Sequence, residues 1–223
     1  MEESRILAPE REAVAAACRR LAAAGLVRGT SGNVSARNGD RVAVTPTGAV
    51  LASLRAGDVT VVDLGGAHLD GPLAATSELD LHLGAYRRHG AGAVVHTHAP
   101  TATALGCVLD ELPCVHYEML ALGGPVRVAP YATFGTPELA RGVLDALEGR
   151  AAALMANHGA LTIGPDVDAA VAATELLEWA CGVYWHAAAL GTPRTLGAQD
   201  LQDVADAVTA RGYGTTRPAK EPA

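Results

Sequence analysis

The segment AVVHTHAP, residues 93–100, is an apolar run that predicts a buried strand and ends in two histidines. Side chains two positions apart on a strand point to the same face of a sheet, so His96 and His98 can approach one point in space. Two ligands of one metal ion need this geometry. With eight histidines in 223 residues, an H-x-H pattern arises by chance about one time in four, so the pair alone is a weak signal.

A third histidine strengthens the metal hypothesis. His158 lies in NHG, directly after the apolar segment AAALMA, which predicts a second buried strand. Gly159 permits a sharp turn there, so the imidazole can face a cleft. Three neutral imidazoles around one point favour Zn²⁺ with an open fourth position. The remaining histidines are expected on the surface or in hydrogen-bonded core positions: His68, His82, His89, His116 and His186.

Glu78 is the candidate carboxylate. It follows Ser77, the expected N-cap of a helix whose apolar stripe contains Leu79, Leu83 and Tyr86. Free backbone N–H groups and the helix dipole favour an ionised side chain at this position by about 0.3–1 kcal/mol. An ionised glutamate can bind a metal or accept a proton. An acidic residue in a first helical turn is nevertheless common without either role.

Three short polar segments could together bind an anion. GTSGNVS (29–35) and TPTG (45–48) offer hydroxyl groups, an amide and N–H groups exposed by glycine, and TS (76–77) adds a helix N-terminus. Each segment alone is more often only a turn. The spacing in GTSGNV differs from the G-x-G-x-x-G of a dinucleotide loop, which disfavours a nicotinamide cofactor.

Composition limits the class of function. A chain of 223 residues with 49% apolar residues is expected to form a single α/β domain. The net charge of −7 and 4% aromatic content give neither a basic stripe nor stacking platforms, so nucleic acids and anionic membranes are not expected as partners. No apolar run is long enough to span a bilayer, and we expect a cytoplasmic protein that acts on a small molecule. The cysteines form no C-x-x-C pair and are expected in the core: Cys18, Cys107, Cys114 and Cys181.

The scarcity of lysine excludes several mechanisms. Lysine occurs once, as Lys220, in a tail that we expect to be disordered (215–223). Schiff-base catalysis, pyridoxal phosphate and Walker-type phosphate binding each need a lysine inside a site. The group that stabilises negative charge in the site of this protein is therefore not a lysine.

Helical and strand patterns alternate along the whole chain. Helices are predicted over 9–24, from Ser77 to about residue 89, from Thr136, over 167–190 and over 200–211. The helix over 167–190 has an apolar stripe on one side, formed by Leu176, Ala180, Val183 and Ala187. Strands are predicted in RVAVTPTG, in VTVVDL, over 93–98, in a β-rich stretch over 113–131, and in AAALMANHG. This alternation predicts a three-layer α/β/α sandwich.

The order of these motifs resembles a known family. GTSGNVS, TPTG, TSELDLH, VVHTHA, VHYEMLALGG, APYATFGT, NHGAL and a late YG occur in the order found in the class II (zinc) aldolase family that includes L-fuculose-1-phosphate aldolase. The resemblance extends from about residue 10 to 214 and implies one domain over 1–214. It also implies a central mixed, largely antiparallel sheet and a homotetramer with active sites between subunits.

The resemblance implies a role for individual residues. His96, His98 and His158 resemble the three zinc ligands, and Glu78 resembles the acid/base carboxylate that also approaches the metal. Tyr117 resembles a tyrosine that reaches a neighbouring subunit's site and protonates the aldehyde oxygen. Phe134 and Tyr213 correspond to residues of the aldehyde pocket. The phosphate of the substrate is expected at Gly32, Asn33, Thr47, Gly48, Thr76 and Ser77.

The implied reaction is zinc-dependent, reversible aldol cleavage of a ketose 1-phosphate to dihydroxyacetone phosphate and a small aldehyde. The ketose is L-fuculose 1-phosphate or a related deoxy-ketopentose 1-phosphate. One alternative is a sugar-phosphate 4-epimerase, which typically has aspartate at the position of Glu78. A second is a methylthioribulose-1-phosphate dehydratase, for which Glu118 is the candidate catalytic residue. The non-enzymatic alternative is an interaction domain like the adducin head, which predicts lost metal ligands.

Overall fold

The computed structural model describes residues 6–212 of the chain. The strands are β1 Asn33–Asn38, β2 Arg41–Val44, β3 Thr60–Asp63, β4 His68–Asp70, β5 Ala93–Thr97, β6 Glu111–Leu112, β7 Val126–Ala129, β8 Ala152–Met155 and β9 Gly159–Gly164. The α-helices are α1 Ala8–Ala23, α2 Leu79–His89, α3 Pro100–Gly106, α4 Pro137–Ala146, α5 Val167–Leu190 and α6 Ala198–Arg211. No helix among residues 6–212 is long and apolar enough to cross a membrane.

Within this part of the chain, nine strands form one sheet in the order β4-β3-β2-β1-β5-β9-β8-β7-β6. Among the described strand pairs only β7 and β8 run parallel, and the other neighbours are antiparallel. The sheet is therefore mixed and largely antiparallel.

Helices cover both faces of this sheet. Residues of α1, α3 and α5 belong to one buried apolar cluster, and residues of α2 and α4 belong to a second. The predicted three-layer α/β/α architecture is thereby confirmed.

Strand β5 shows how the apolar run positions the first histidine. Ala93 and Val95 pack in the cluster with α1 and α5, whereas Val94 packs in the cluster with α2 and α4. Because side chains alternate along a strand, His96 lies on the same face as Val94, which is the face that α2 covers. A strand buried on both faces has a continuous apolar sequence rather than an alternating one.

Several predictions about local structure were wrong. Helix α2 begins at Leu79 with Glu78, not Ser77, at the N-cap position. The backbone before it pairs with the end of β2, because the N–H of Thr76 donates to the carbonyl of Thr45 at 3.1 Å, and this pairing delays the helix start. The region 113–131 contains a 3₁₀ helix at Tyr117–Leu122 and only the short β7. The side chain of His116 accepts a hydrogen bond from the N–H of Glu118 and begins that 3₁₀ helix.

The apolar stripe predicted for α5 is only partly the buried face. Ala180 is buried and Leu176 packs, partly buried, against the same apolar cluster, whereas Val183 and Ala187 are partly exposed. This helix is apolar over much of its circumference, so periodicity alone did not identify the buried face. The buried residues are Val167, Ala170, Val171, Thr174, Leu177, Ala180 and Cys181. Cys107 is exposed, contrary to expectation, whereas Cys18, Cys114 and Cys181 are buried.

The start of β9 approaches β5 too closely for a side chain. A Cβ added to Gly159 would lie 2.3 Å from the carbonyl oxygen of Thr97 and 3.0 Å from Cδ2 of His98. We predict that Gly159→Ala lowers the free energy of unfolding by about 1–3 kcal/mol, because the backbone must shift to admit the methyl group. Urea unfolding followed by circular dichroism measures this change.

Gly182→Ala in α5 is the matched control, because an added Cβ there meets nothing within 4 Å. Alanine is favoured over glycine inside a helix, so this variant is expected to be as stable as the wild type or up to about 1 kcal/mol more stable. Equal stability of the two variants would contradict the close approach at Gly159.

Candidate functional site

Three neighbouring strands bring the predicted metal ligands to one edge of the sheet. In the antiparallel register Asn33 of β1 pairs with His96 of β5, and Thr97 pairs with Ala160 of β9. The start of β1, the end of β5 and the start of β9 therefore lie side by side. His98 follows β5 directly, and His158 precedes β9 directly.

The three imidazoles form a compact, nearly symmetric group. The ring centroids of each pair among His96, His98 and His158 are 4.9 Å apart. One nitrogen from each ring lies within 4.8 Å of the others, and the Nε2 atoms of His96 and His98 are 3.0 Å apart. Residues separated by about sixty positions in sequence thus direct nitrogen atoms to one point.

The protonation of these rings suits metal binding. Nδ1 of His96 lies 2.9 Å from the carbonyl oxygen of Ala160, to which it donates a hydrogen bond. With Nδ1 as the donor, the lone pair available to a metal is on Nε2, which faces the other two histidines. Burial, followed by the electrostatic effects of His96 and His158, lowers the pKa of His98 to about 4. Burial and then His96 also lower the pKa of His158, so both rings are neutral at pH 7.

Glu78 lies beside this group at the start of α2. Its Oε2 is 3.3 Å from Nε2 of His96, and its Oε1 is 3.6 Å from Nε2 of His158. Nδ2 of Asn33 donates a hydrogen bond to Oε2 at 2.8 Å. Burial raises the pKa of Glu78, but the opposing effects of His96, the Asn33 hydrogen bond, His158 and His82 together lower it below its usual value. Glu78 is therefore ionised at neutral pH.

One oxygen of this buried carboxylate lacks a hydrogen bond. Within residues 6–212, no group donates to Oε1 of Glu78, although the atom is buried. A buried anionic oxygen without a partner is energetically costly unless a cation or a ligand compensates it. Three imidazole nitrogens with free lone pairs and this oxygen are a donor set that a divalent transition metal fits. His96, His98, His158 and Glu78 could thus hold such an ion.

A cavity of about 470 Å³ opens beside the histidines. His98, His158 and Glu78 line it, and so does every residue predicted to bind phosphate: Gly32, Asn33, Thr47, Gly48, Thr76 and Ser77. Its described lining contains no lysine or arginine. An anion there would be held by hydroxyl groups, amide groups and backbone N–H groups, as expected from the sequence.

Gly32 has a steric role next to the histidine cluster. Its φ of 97° is unfavourable for other residues, and an added Cβ would lie 2.8 Å from the carbonyl oxygen of His96. The backbone of the 29–32 turn can therefore lie directly against the end of β5.

Two aromatic residues also line the cavity. Phe134, predicted for the aldehyde pocket, lines the cavity with 67% of its surface exposed. Tyr131, which sequence reasoning did not single out, lines it as well and is 66% exposed. Both residues occur in the motif APYATFGT, so the motif itself carried the signal.

Other predicted residues are not brought to this cavity. Tyr117 lies in the 3₁₀ helix with its ring 4.5 Å from that of His116, and it is 37% exposed. Glu118 is an exposed acidic residue in the first turn of the same helix. Neither residue lines the cavity within one chain. Tyr213 lies outside the described residues.

A second cavity, of about 530 Å³, lies between α1 and the start of α5. None of the residues predicted for the site lines it. Its size alone therefore does not make it the better candidate, because the chemistry lies elsewhere.

Sequence comparison identifies the family. The profile described as "Class II Aldolase and Adducin N-terminal domain" matches residues 12–185. The chain belongs to this family. It is 37% identical over 205 residues to the "5-methylthioribulose-1-phosphate/5-deoxyribulose-1-phosphate aldolase" of Rhodospirillum rubrum, covering 91% of this chain and 92% of the relative. It is 35% identical over 213 residues to the "5-deoxy-D-ribulose 1-phosphate aldolase" of Bacillus thuringiensis serovar kurstaki, covering 94% and 99%.

The fold of this class II aldolase also matches solved structures. One of them, "L-fuculose 1-phosphate aldolase", superimposes with a TM-score of 0.86 at 32% identity and covers 90% of this chain and 96% of that one. The predicted family is thereby confirmed, and the chain is an aldolase-type lyase. Class II aldolases are metal-dependent, which agrees with the histidine cluster.

Sequence reasoning missed the part that His82 plays in this class II aldolase. His82 was placed among surface or hydrogen-bonded core histidines, and it is indeed fully buried and hydrogen-bonded. Burial lowers its pKa to about 3, so the ring is neutral. It contacts Asn33, the donor to Glu78. The available signal was the spacing of four residues between Glu78 and His82, which places both on one helix face.

We predict that His98→Ala weakens metal binding by at least about 100-fold. Loss of a group that only hydrogen-bonds to a metal ligand already weakens binding by about 10–100-fold, and loss of a direct ligand should cost more. Dialysis of the purified protein against limiting Zn²⁺, followed by elemental analysis, measures the bound metal. His186→Ala, on the exposed part of α5, is the control and should bind as much metal as the wild type. Full occupancy in the His98 variant would exclude this histidine as a ligand.

Proposed function

We propose that this protein is a zinc-dependent aldolase that reversibly cleaves a ketose 1-phosphate to dihydroxyacetone phosphate and a small aldehyde. The observation that carries the proposal is the group of three imidazoles and one ionised carboxylate beside a polar cavity. Zinc is proposed because neutral imidazoles are its usual nitrogen ligands, and because three protein ligands leave a position for substrate.

The proposed substrate is 5-deoxyribulose 1-phosphate or its 5-methylthio analogue. Two relatives that align with more than nine-tenths of this chain are named for these ketoses. Tyr131 and Phe134 give the cavity an aromatic side, which suits an aldehyde portion ending in a methyl or methylthio group. L-Fuculose 1-phosphate is the second candidate, supported by the structural match to L-fuculose 1-phosphate aldolase.

Because such sugar phosphates are charged and membrane-impermeant, we expect the reaction in the cytoplasm.

The metal would be held by His96, His98 and His158, with Glu78 adjacent. Bound there, it supplies Lewis-acid stabilisation of the negative charge that develops when a carbon–carbon bond next to a ketone breaks. A chain whose single lysine is Lys220 offers no imine for the same purpose.

The protein's own groups orient the substrate and move protons. The phosphate lies among the N–H and hydroxyl groups of the 29–33, 45–48 and 76–77 segments, and this remote contact fixes the reacting carbon relative to Glu78. In cleavage, the hydroxyl group at C4 gives its proton to the phenolate form of Tyr117 of a neighbouring subunit and becomes the aldehyde oxygen. The electron pair of the C3–C4 bond remains on C3, to which protonated Glu78 delivers a proton, and exchange with solvent then returns the proton from Tyr117 to Glu78. In synthesis Glu78 removes that proton, and Tyr117 of a neighbouring subunit protonates the aldehyde oxygen.

Zinc-loaded protein is expected to release dihydroxyacetone phosphate from 5-deoxyribulose 1-phosphate, measured through NADH oxidation by glycerol-3-phosphate dehydrogenase. L-Fuculose 1-phosphate adds one hydroxyl-bearing carbon to the aldehyde portion, and an apolar pocket disfavours such an addition by up to about 100-fold in kcat/KM. If the zinc-loaded protein cleaves neither of these two ketoses, the proposal is overturned.

Glu78→Gln is expected to lower kcat by about 10²–10⁴-fold while the bound metal is retained, since the amide cannot transfer the proton. Glu118→Gln is the matched control and should leave kcat unchanged, because the proposed cleavage assigns no proton transfer to Glu118. Loss of water from methylthioribulose 1-phosphate without release of dihydroxyacetone phosphate, together with sensitivity to the Glu118 change, would favour the dehydratase alternative. Inversion at C4 would favour the epimerase.

The proposed homotetramer with shared sites can be tested by mixing subunits. Tyr117→Phe and Glu78→Gln are each expected to be nearly inactive alone. In randomly mixed oligomers about one quarter of the shared sites combine an intact Glu78 with an intact Tyr117, so activity should partly return. To measure this recovery, the two variants are unfolded separately, mixed and refolded together, and release of dihydroxyacetone phosphate is then assayed. No recovery in mixed oligomers would show that Tyr117 does not act across an interface.

A further inference from the structure

A continuous series of hydrogen-bonded, buried polar side chains from α2 and β1 leads to Glu78. The hydroxyl groups of Tyr86 and Ser35 are hydrogen-bonded, and Oγ of Ser35 lies 2.6 Å from Nδ1 of His82. Nε2 of His82 lies 2.5 Å from Oδ1 of Asn33, whose Nδ2 donates to Glu78. We call this series the Tyr86–Glu78 relay. Ser35 and His82 are fully buried, and Tyr86 and Asn33 are 1% and 5% exposed.

The carboxylate fixes the direction of every hydrogen bond in the relay. Ionised Glu78 can only accept, so Asn33 must turn its NH₂ group toward it and its carbonyl oxygen toward His82. A carbonyl oxygen also only accepts, so Nε2 of His82 must carry the proton.

The same reasoning fixes the hydrogen bond at Nδ1 of His82. A neutral imidazole protonated at Nε2 has its lone pair on Nδ1, so Ser35 must donate its hydroxyl proton there. The oxygen of Ser35 is then free to accept from Tyr86. Each of these groups therefore donates toward the carboxylate, which is the arrangement that stabilises negative charge on it.

The relay distinguishes the two oxygens of Glu78. Oε2 accepts the hydrogen bond from Asn33, whereas Oε1 has no donor within residues 6–212. If the amide of Asn33 turned over, its carbonyl oxygen would face the carboxylate, and Glu78 would be repelled. The proton on Nε2 of His82 prevents this rotation, because it pairs only with the carbonyl side of the amide.

We propose that His82 is a positioning residue that locks the amide of Asn33, and thereby holds Glu78 with Oε1 free to exchange the proton of the substrate carbon. This inference rests on the proposed function for the identity of the proton transfer. It adds a residue that touches neither metal nor substrate.

Variants at position 82 test the relay. His82→Leu removes the donor to Asn33 with similar volume, and His82→Gln restores an N–H group near the position of Nε2. His89→Leu is the matched control on the same helix, where Nε2 of His89 contacts the carbonyl oxygen of Leu144 at 3.0 Å. For each variant kcat, KM and bound metal are measured with the ketose that the wild type cleaves best.

We expect His82→Leu to lower kcat by about 100-fold, since misplacing a catalytic group by about 1 Å has this effect. Metal content should stay within about three-fold of the wild type. KM should change less than kcat, although Asn33 also lines the phosphate segment, and His82→Gln should recover kcat to within about ten-fold. His89→Leu should match the wild type. An unchanged kcat in His82→Leu, or a His82→Gln variant as impaired as the leucine variant, would overturn the proposal.

Neutron diffraction from D₂O-exchanged crystals of the wild type tests the relay without any assay. Deuterium on Nε2 of His82, and none on Nδ1, is expected; deuterium on Nδ1 would overturn the proposal even if His82→Leu failed to fold. Because this result does not depend on turnover, it separates failure of the relay from failure of the proposed aldol cleavage.

Discussion

The antiparallel register of β1, β5 and β9 is the constraint on which the site depends. It aligns Asn33 with His96 and Thr97 with Ala160, so the start of two strands and the end of a third meet at one sheet edge. The same register brings the carbonyl oxygen of Ala160 to Nδ1 of His96 and so fixes which nitrogen faces the cavity. A shift of one residue would turn His96 to the other face of the sheet.

The electrostatics of the site follow from its lack of nearby cations. Burial lowers the pKa of His98 and of His158, and an ionised glutamate lies beside them without an arginine or lysine along the described cavity. Such an arrangement has a large electrostatic cost until a cation binds. A bound divalent metal would balance the charge of the carboxylate and attract the oxygens of the substrate. The electrostatic cost of the buried carboxylate in the metal-free protein is therefore consistent with the proposed chemistry.

Much of this could be predicted from sequence, since the informative motifs are local. HTH on an apolar strand, NHG after another and GTSGNVS at a turn each carry their geometry within a few residues. The role proposed for Tyr117 depends on a neighbouring subunit, which a single chain does not contain, and Tyr213 lies outside the described residues. The spacing of four residues between Glu78 and His82 places both on one helix face, but the partners of His82 in the relay depend on how α2 packs against β1, and this tertiary packing was not predictable. The start of α2 was misplaced for a similar reason, since pairing with the end of β2 overrides the usual preference for a serine cap.

The central claim is that three distant histidines surround one metal ion next to Glu78. Anomalous diffraction at the zinc edge, from crystals of zinc-loaded protein, tests this claim most directly. The expected result is one strong peak per subunit at about 2.0–2.1 Å from a nitrogen of each of His96, His98 and His158. A peak bound elsewhere, with these three rings free of metal, would contradict the account.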